Sequence, residues 1–287
     1  MMRRGLAALM ACVAMAATAN AQSDLVRRGD YLVNGILICG NCHTPRGPAG
    51  EIMDPAGEIM HKAFSGGQSF DEPSFRVTAP NITQDKETGI GNYTDAELKR
   101  MLRRGIKRNG VPVAVMPSGF YEIMTDRDLD AVIAYLRTIK PNRNAVPHPI
   151  YRMAQEHPIP PGGETPYTEA MLSDKLKRGF YLATIALCME CHTPIGPQGR
   201  EFASKLGAGG SEFEGPWGVS VSRNITNSKT RGIGGWTDDE IKRAITQGVS
   251  KDGSMLKPPM SFRYYANVSA TDLDAIVAYL RTVPPKE

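Results

Sequence analysis

The chain contains an internal duplication, and each copy carries a Cys-x-x-Cys-His motif. Residues 27–50, which include the first motif, match residues 177–199, which include the second. Farther along, 9 of the 11 residues from Asp128 to Thr138 recur from Asp272 to Thr282. Self-similarity at a shift of 143 to 150 residues indicates two structural units that fold in the same way.

The length of 287 residues suits two domains of ordinary size. Residues 141–167, which lie between the copies, hold seven prolines and suit an extended connection better than a packed core. We therefore predict one domain over residues 22–140, a proline-rich linker over residues 141–167, and a second domain over residues 168–287.

Helical signals dominate both copies. Thr94 with Glu97, and Thr237 with Glu240, form capping boxes that predict the starts of two middle helices. The last helix of each copy should place four apolar residues on one face. These residues are Leu129, Val132, Ile133 and Leu136 in the first copy, and Leu273, Ile276, Val277 and Leu280 in the second. Because alternating strand patterns are scarce, the predicted fold class is all-α.

The first 21 residues read as a secretory signal peptide. Arg3 and Arg4 supply the positive charge, an apolar stretch covers residues 6–17, and the small residues before and at Ala21 suit cleavage there. The apolar stretch is too short to span a bilayer. An uncleaved anchor, or a lipoprotein attached at Cys12, is the alternative. Since no later apolar run could cross a membrane, we expect no transmembrane anchor and a soluble protein exported to the periplasm.

The motifs predict covalent haem attachment. Cys39 and Cys42 can bond the two vinyl groups of one porphyrin, and His43 can then bind its iron as proximal ligand. Cys188, Cys191 and His192 repeat the arrangement, which predicts two haem c groups and uses every cysteine beyond the signal peptide. A thioredoxin-like redox pair and a zinc site are the alternatives. The first would need a βαβ context, and the second would need more ligands nearby.

The second axial ligand decides what such a haem does, because an open iron permits catalysis whereas a methionine closes it and raises its potential. When the last helices are aligned, Met116 falls on Met260, and Met124 faces Val268. We therefore predict Met116 and Met260 as axial ligands, with core packing as the alternative for each. His61 is a possible rival in the first copy.

At this level of detail the sequence resembles a known family. Both copies follow one pattern: RG-x-YL, CxxCHTP, G-G, NIT, GIG-x-[YW]-TD-x-E, a methionine and DLDA-x-x-AYLR. It resembles the class I cytochrome c domains of bacterial cytochrome subunits that accompany periplasmic dehydrogenases of alcohols, aldehydes, sugar acids and heteroaromatic compounds. The resemblance implies a dehydrogenase as electron donor, and NIT segments that line the haem pockets.

The charge of the chain argues against one class of partner. A formal net charge of +4 is too small to predict nucleic-acid binding. Six of the ten residues over 99–108 are basic, namely Lys99, Arg100, Arg103, Arg104, Lys107 and Arg108. They can be a solvated helix end, which the helix dipole favours, or a docking patch for an acidic partner.

Together these observations predict a periplasmic dihaem cytochrome c that carries electrons from a dehydrogenase to the respiratory chain. A small cytochrome or a terminal oxidase would be the acceptor. The alternative is a dihaem enzyme, a peroxidase or a small-molecule oxidase, which would need one accessible iron. A redox sensor is a third possibility, but it would need a partner module.

Overall fold

The computed structural model describes residues 21–45, 47, 61–154, 157–197, 199–215 and 217–287. The predicted signal peptide therefore lies, apart from Ala21, outside the described residues. The helices are α1 (21–31), which continues into a π-helical turn (Leu32–Ile36), α2 (Cys39–His43), α3 (Asp95–Arg104), α4 (Ser118–Tyr121), α5 (Asp126–Leu136), α6 (Lys175–Ile185), α7 (Cys188–Cys191), α8 (Phe202–Lys205), α9 (Asp238–Gln247), α10 (Phe262–Tyr265) and α11 (Ala270–Leu280). A 3₁₀ helix (Glu169–Ser173) precedes α6.

The expectation of an all-α fold is wrong, because the described residues also form three small antiparallel sheets. The strands are β1 (Ser69–Glu72), β2 (Phe75–Thr78), β3 (Ile150–Tyr151), β4 (Ile195–Gly196), β5 (Gly199–Arg200), β6 (Glu212–Gly215) and β7 (Gly218–Val221). They are two to four residues long and mostly exposed or half-buried. Strand β2 (Phe-Arg-Val-Thr) does alternate apolar and polar residues, but runs of two to four residues are too short to stand out as a period-two signal.

The predicted helices are present with their predicted caps. The hydroxyl of Thr94 accepts the Glu97 backbone N–H and the Glu97 carboxylate accepts the Thr94 backbone N–H, and Thr237 and Glu240 make the same pair of bonds. The apolar residues predicted for the last helices are all buried in α5 and α11.

In each copy the first helix crosses the last helix at a glycine. A Cβ atom on Gly29 of α1 would lie 1.9 Å from the carbonyl oxygen of Ala131, and one on Gly179 of α6 would lie 2.0 Å from that of Ala275. No side chain fits at either crossing, so the two backbones can approach closely. This glycine is the one in the repeated Arg-Gly-x-Tyr-Leu sequence.

The proline-rich segment lies against the first copy. Strand β3 pairs with β2, with Tyr151 opposite Phe75. Asn142 accepts a 2.7 Å hydrogen bond from the side chain of Asn81 through its backbone oxygen. His157 packs against Gly105, where a Cβ atom would lie 2.3 Å from the imidazole Nε2. Where the structure describes it, the segment is therefore held against the first copy by hydrogen bonds and packing. The bounds of the linker and the two domains stay a prediction.

The two copies also pack on each other. Helix α4 of the first copy contacts α6 of the second, and α10 of the second contacts the π-helical turn that follows α1. Phe120 and Phe202 meet edge to face across this boundary, with ring centroids 6.0 Å apart. The contacts are reciprocal, since α4 and α10 occupy equivalent places in the repeat.

Candidate functional site

Each Cys-x-x-Cys-His motif begins a short helix in the same unusual way. The residue before the first cysteine is left-handed in both copies, with φ of 49° at Ile38 and 64° at Leu187. Such backbone angles are rare for branched side chains and are kept where the surrounding structure demands them. The left-handed residue starts α2 and α7 directly at Cys39 and Cys188, so both cysteines of each motif lie in one short helix. His43 is the last residue of α2, and His192 is the C-cap residue of α7.

The four motif cysteines form no disulfide with one another. Burial raises the pKa of the Cys39 and Cys188 thiols to about 12 and raises the pKa of Cys191 well above its ordinary value. A catalytic Cys-x-x-Cys pair depends on a lowered pKa at its reactive thiol. The environment of these thiols is therefore unlike that of a redox-active dithiol.

The two motif histidines are held by backbone carbonyls. The Nδ1–H group of His43 donates to the carbonyl oxygen of Pro80 at 2.7 Å, and that of His192 donates to the carbonyl oxygen of Arg223 at 2.6 Å. Burial lowers the pKa of both imidazoles, and the carbonyl hydrogen bonds partly oppose that shift. Since Nδ1 carries the proton in a neutral ring, Nε2 keeps its lone pair for a metal.

The Asn-Ile-Thr segments follow directly after these carbonyls. The side-chain oxygen of Asn81 accepts the Thr83 backbone N–H at 2.9 Å, and Asn224 accepts that of Thr226 at the same distance. Both segments are thus Asx turns, and Thr83 and Thr226 are completely buried. Their place in the sequence suggests that they fix the carbonyls that orient His43 and His192.

The two predicted methionine ligands lie at equivalent places in the repeat. Met116 and Met260 are partly buried against the core, and α4 and α10 each begin two residues after the methionine. By contrast, Met124 is fully buried in the core and Met255 is 60% exposed. His61, the possible rival, is exposed. The assignment of Met116 and Met260 as iron ligands stays a prediction.

The donor set fits a covalently attached haem in each copy. Each copy has two thiols outside any disulfide, followed directly in the sequence by an imidazole whose Nε2 lone pair is available. Each copy also has a partly buried methionine. Within the described ranges, no three His, Cys, Asp or Glu side chains group as ligands of a metal ion.

The sequence did not point to two tyrosines beside the motifs. Tyr121 and Tyr265 are buried, and the electrostatics of nearby Cys39 and Cys42 act on Tyr121 as those of Cys188 and Cys191 act on Tyr265. The hydroxyl of Tyr265 donates to the carbonyl oxygen of Ala186 at 2.8 Å, two residues before Cys188. Their equivalent places near the ends of α4 and α10 are the signal that could have found them.

Comparison with known proteins agrees with the geometry, because the relatives found are cytochromes c. No protein-family model matches the chain. The cytochrome c subunit of a quinone alcohol dehydrogenase from Gluconacetobacter polyoxogenes is 30% identical over 96% of this chain. This chain is homologous to bacterial cytochrome c subunits. The cytochrome subunit of fructose dehydrogenase from Gluconobacter japonicus is 29% identical over 93% of this chain, and a diheme cytochrome c-type protein from Cereibacter sphaeroides is 28% identical over 87%.

Coverage of the relatives differs between these cytochromes. The chain spans 60% of the alcohol dehydrogenase subunit and 54% of the fructose dehydrogenase subunit. It spans 83% of the diheme protein. Among the described helices of the present chain, none is long and apolar enough to cross a membrane.

Proposed function

We propose that the chain carries two covalently attached haem c groups and transfers single electrons between a periplasmic dehydrogenase and the respiratory chain. The observation that carries this proposal is the duplicated Cys-x-x-Cys-His turn, in which each imidazole Nδ1–H is bound to a backbone carbonyl. A small cytochrome or a terminal oxidase is the proposed acceptor. The homologous cytochrome subunits, which their names assign to dehydrogenases, support the proposed donor.

Each residue of the site has a separate task in this proposal. Cys39 and Cys42, and likewise Cys188 and Cys191, would hold a porphyrin through thioether bonds. His43 and His192 would bind iron through Nε2, and Met116 and Met260 would close the opposite face. When bound, the haem supplies a metal centre that accepts and releases one electron. The protein supplies attachment, ligand orientation and a pocket of low polarity, which together tune the potential.

The carrier proposal and the enzyme alternative differ in access to the iron. A carrier with two methionine-closed centres should retain two haems per chain after acid-acetone extraction and should not bind carbon monoxide rapidly in its reduced form. Its turnover with peroxide should be negligible beside its rate of electron exchange with a small cytochrome. Carbon monoxide binding at half of the haem, with substantial peroxide turnover, would instead identify a dihaem enzyme.

The cysteine motifs allow a matched test within one chain. Cys39→Ala should remove or weaken attachment in the first copy only, and Cys191→Ala in the second only, because each copy has its own donor set. Haem content and mass spectrometry of the two variants measure the result. Loss of both haems from either variant would contradict two independent sites. A haem held as firmly as in the native protein would contradict thioether attachment at the changed cysteine.

A further inference from the structure

The boundary between the copies contains two buried carboxylates, Asp128 and Asp272. Each of them accepts hydrogen bonds from a residue of the first copy and from a residue of the second. In the first copy, Asp128 accepts two 2.8 Å hydrogen bonds from Arg28, which is in the same copy. Its Oδ2 atom also accepts a 2.7 Å hydrogen bond from the hydroxyl of Tyr181, which is in the second copy. The carboxylate is thus shared between the copies.

The second copy mirrors this arrangement. Asp272 accepts a 2.5 Å hydrogen bond from Arg178 of its own copy and a 2.6 Å hydrogen bond from the hydroxyl of Tyr31 of the first copy. Arg28 and Arg178, Tyr31 and Tyr181, and Asp128 and Asp272 are equivalent residues of the repeat. The exchange of partners gives the boundary an approximate two-fold symmetry, in which each tyrosine binds the other copy.

The two carboxylates in these contacts are buried from solvent. The side chains of Asp128 and Asp272 are each 2% exposed. Each tyrosine hydroxyl also accepts the backbone N–H of the residue that caps the opposite last helix, from Thr125 to Tyr181 and from Ser269 to Tyr31. Because water has little access to the carboxylates, removal of a hydroxyl leaves a buried charge short of a partner.

The first Cys-x-x-Cys-His turn contacts the second copy at the same boundary. A Cβ atom on Gly40, inside the first motif, would lie 2.9 Å from the hydroxyl oxygen of Tyr264 in the second copy. Tyr121, beside the first pair of cysteines, is also close enough to Glu190 of the second motif for that carboxylate to raise its pKa. The relative position of the two copies therefore sets the relative position of the two attachment turns.

We infer that Tyr31 and Tyr181 clasp the two copies together and fix the distance between the two haem centres, which makes them positioning residues for internal electron transfer. The inference rests on the proposed function. Exchange between the centres moves one electron and makes or breaks no bond, so its rate falls with the distance between the centres when the potentials and the reorganisation energy are unchanged. A clasp that holds the geometry therefore acts on that rate without touching either centre.

The test uses the full-length holoprotein and the variants Tyr31→Phe, Tyr181→Phe and Tyr31→Phe/Tyr181→Phe. Loss of a hydrogen bond to a buried charge should raise the population with separated copies about tenfold or more for each substitution. In half-reduced native protein, fast internal exchange should average the haem methyl NMR signals, independently of dilution. Since separated molecules stay a minority after a tenfold rise, we expect at most slight broadening of the averaged signals in the single variants and the largest broadening in the double variant.

A second measurement reports separation without reference to the haems. The Tyr167 backbone N–H donates to the carbonyl oxygen of Ile123, where the chain enters the second copy. Its hydrogen exchange should become about tenfold faster in each single variant, in line with the larger separated population. Tyr151→Phe is the control, because the Tyr151 hydroxyl bonds to Lys107 outside this boundary. It should change neither readout.

The possible results distinguish a failure of the tyrosine clasp from a failure of the proposed function. Fewer than two haems in the native protein would refute the proposed function itself. If native and variant proteins carry two haems with the same visible spectra and potentials, and hydrogen exchange at Tyr167 is unchanged in every variant, the clasp is refuted. If the double variant does not fold, the single variants decide the matter, since each keeps one of the two tyrosines.

Discussion

At the scale of single residues, the hydrogen bonds and burial of the motif side chains decide which of their atoms can bind another group. The backbone oxygens of Pro80 and Arg223 take the Nδ1–H groups of the two motif histidines. Burial keeps the thiols of Cys39 and Cys188 protonated near neutral pH, because their pKa values are about 12. These buried, protonated thiols differ from the ionised thiolates on which cysteine catalysis depends.

The prediction at this scale concerns the methionines. Met116→Ala and Met260→Ala should each remove about half of the near-infrared sulfur-to-iron charge-transfer band of the ferric holoprotein and lower the reduction potential of one centre. Met124→Leu is the control, since Met124 is fully buried in the core and the substitution roughly conserves its volume. An unchanged band in either alanine variant would show that the ligand lies elsewhere.

At the scale of secondary-structure elements, the crossings of the first and last helices depend on glycine. Gly29 and Gly179 leave no space for a methyl group, because the obstructing atoms are backbone carbonyl oxygens that cannot rotate away. We expect Gly29→Ala and Gly179→Ala each to lower the free energy of unfolding by about 1–3 kcal/mol through overpacking. Denaturant unfolding of the holoprotein measures the change.

Gly235→Ala is the matched control for these crossings. A Cβ atom on Gly235 would have only the carbonyl oxygen of Lys229 nearby, at 3.4 Å. The control should therefore stay within about 0.5 kcal/mol of the native free energy of unfolding. If Gly29→Ala and Gly179→Ala were as stable as the control, the helix crossings would not be the tight contacts that we describe.

At the scale of the whole molecule, the basic run over residues 99–108 is largely neutralised. Four of its members lie within ion-pair distance of an acidic side chain, in the pairs Lys99–Asp130, Arg103–Asp126, Arg104–Glu122 and Arg108–Glu97. Arg100 donates to the backbone oxygen of Lys107. These contacts favour a helix end that is paired within its own copy over a docking patch.

The prediction at this scale concerns ionic strength. Lys99→Gln/Asp130→Asn and Arg108→Gln/Glu97→Gln each remove a whole ion pair. Both double variants should leave unchanged the salt dependence of reduction of the holoprotein by a small acidic redox protein, because the net local charge does not change. Stopped-flow rates between low salt and about 0.1 M, where the Debye length is about 10 Å, measure it. A steep salt dependence in the native protein that is lost in both variants would restore the docking patch.

The sequence by itself determined the elements that depend on neighbours along the chain. The duplication, the two Cys-x-x-Cys-His turns, the capping boxes at Thr94 and Thr237 and the apolar faces of α5 and α11 all follow from local spacing, and the structure has the caps and faces as predicted. Local spacing could not give the sheets, because their strands are only two to four residues long and such short runs carry no distinct period-two signal.

Only the tertiary structure decided the contacts between distant residues. His43 and the carbonyl oxygen of Pro80 are 37 residues apart, and Tyr31 and Asp272 are 241 apart. No periodicity in the chain encodes such pairs, since they form only when loops close and the two copies pack. A tyrosine and an aspartate that recur in both copies suggest equal roles, but nothing in the sequence says that each tyrosine binds the aspartate of the other copy. That exchange depends on how the two folded surfaces meet.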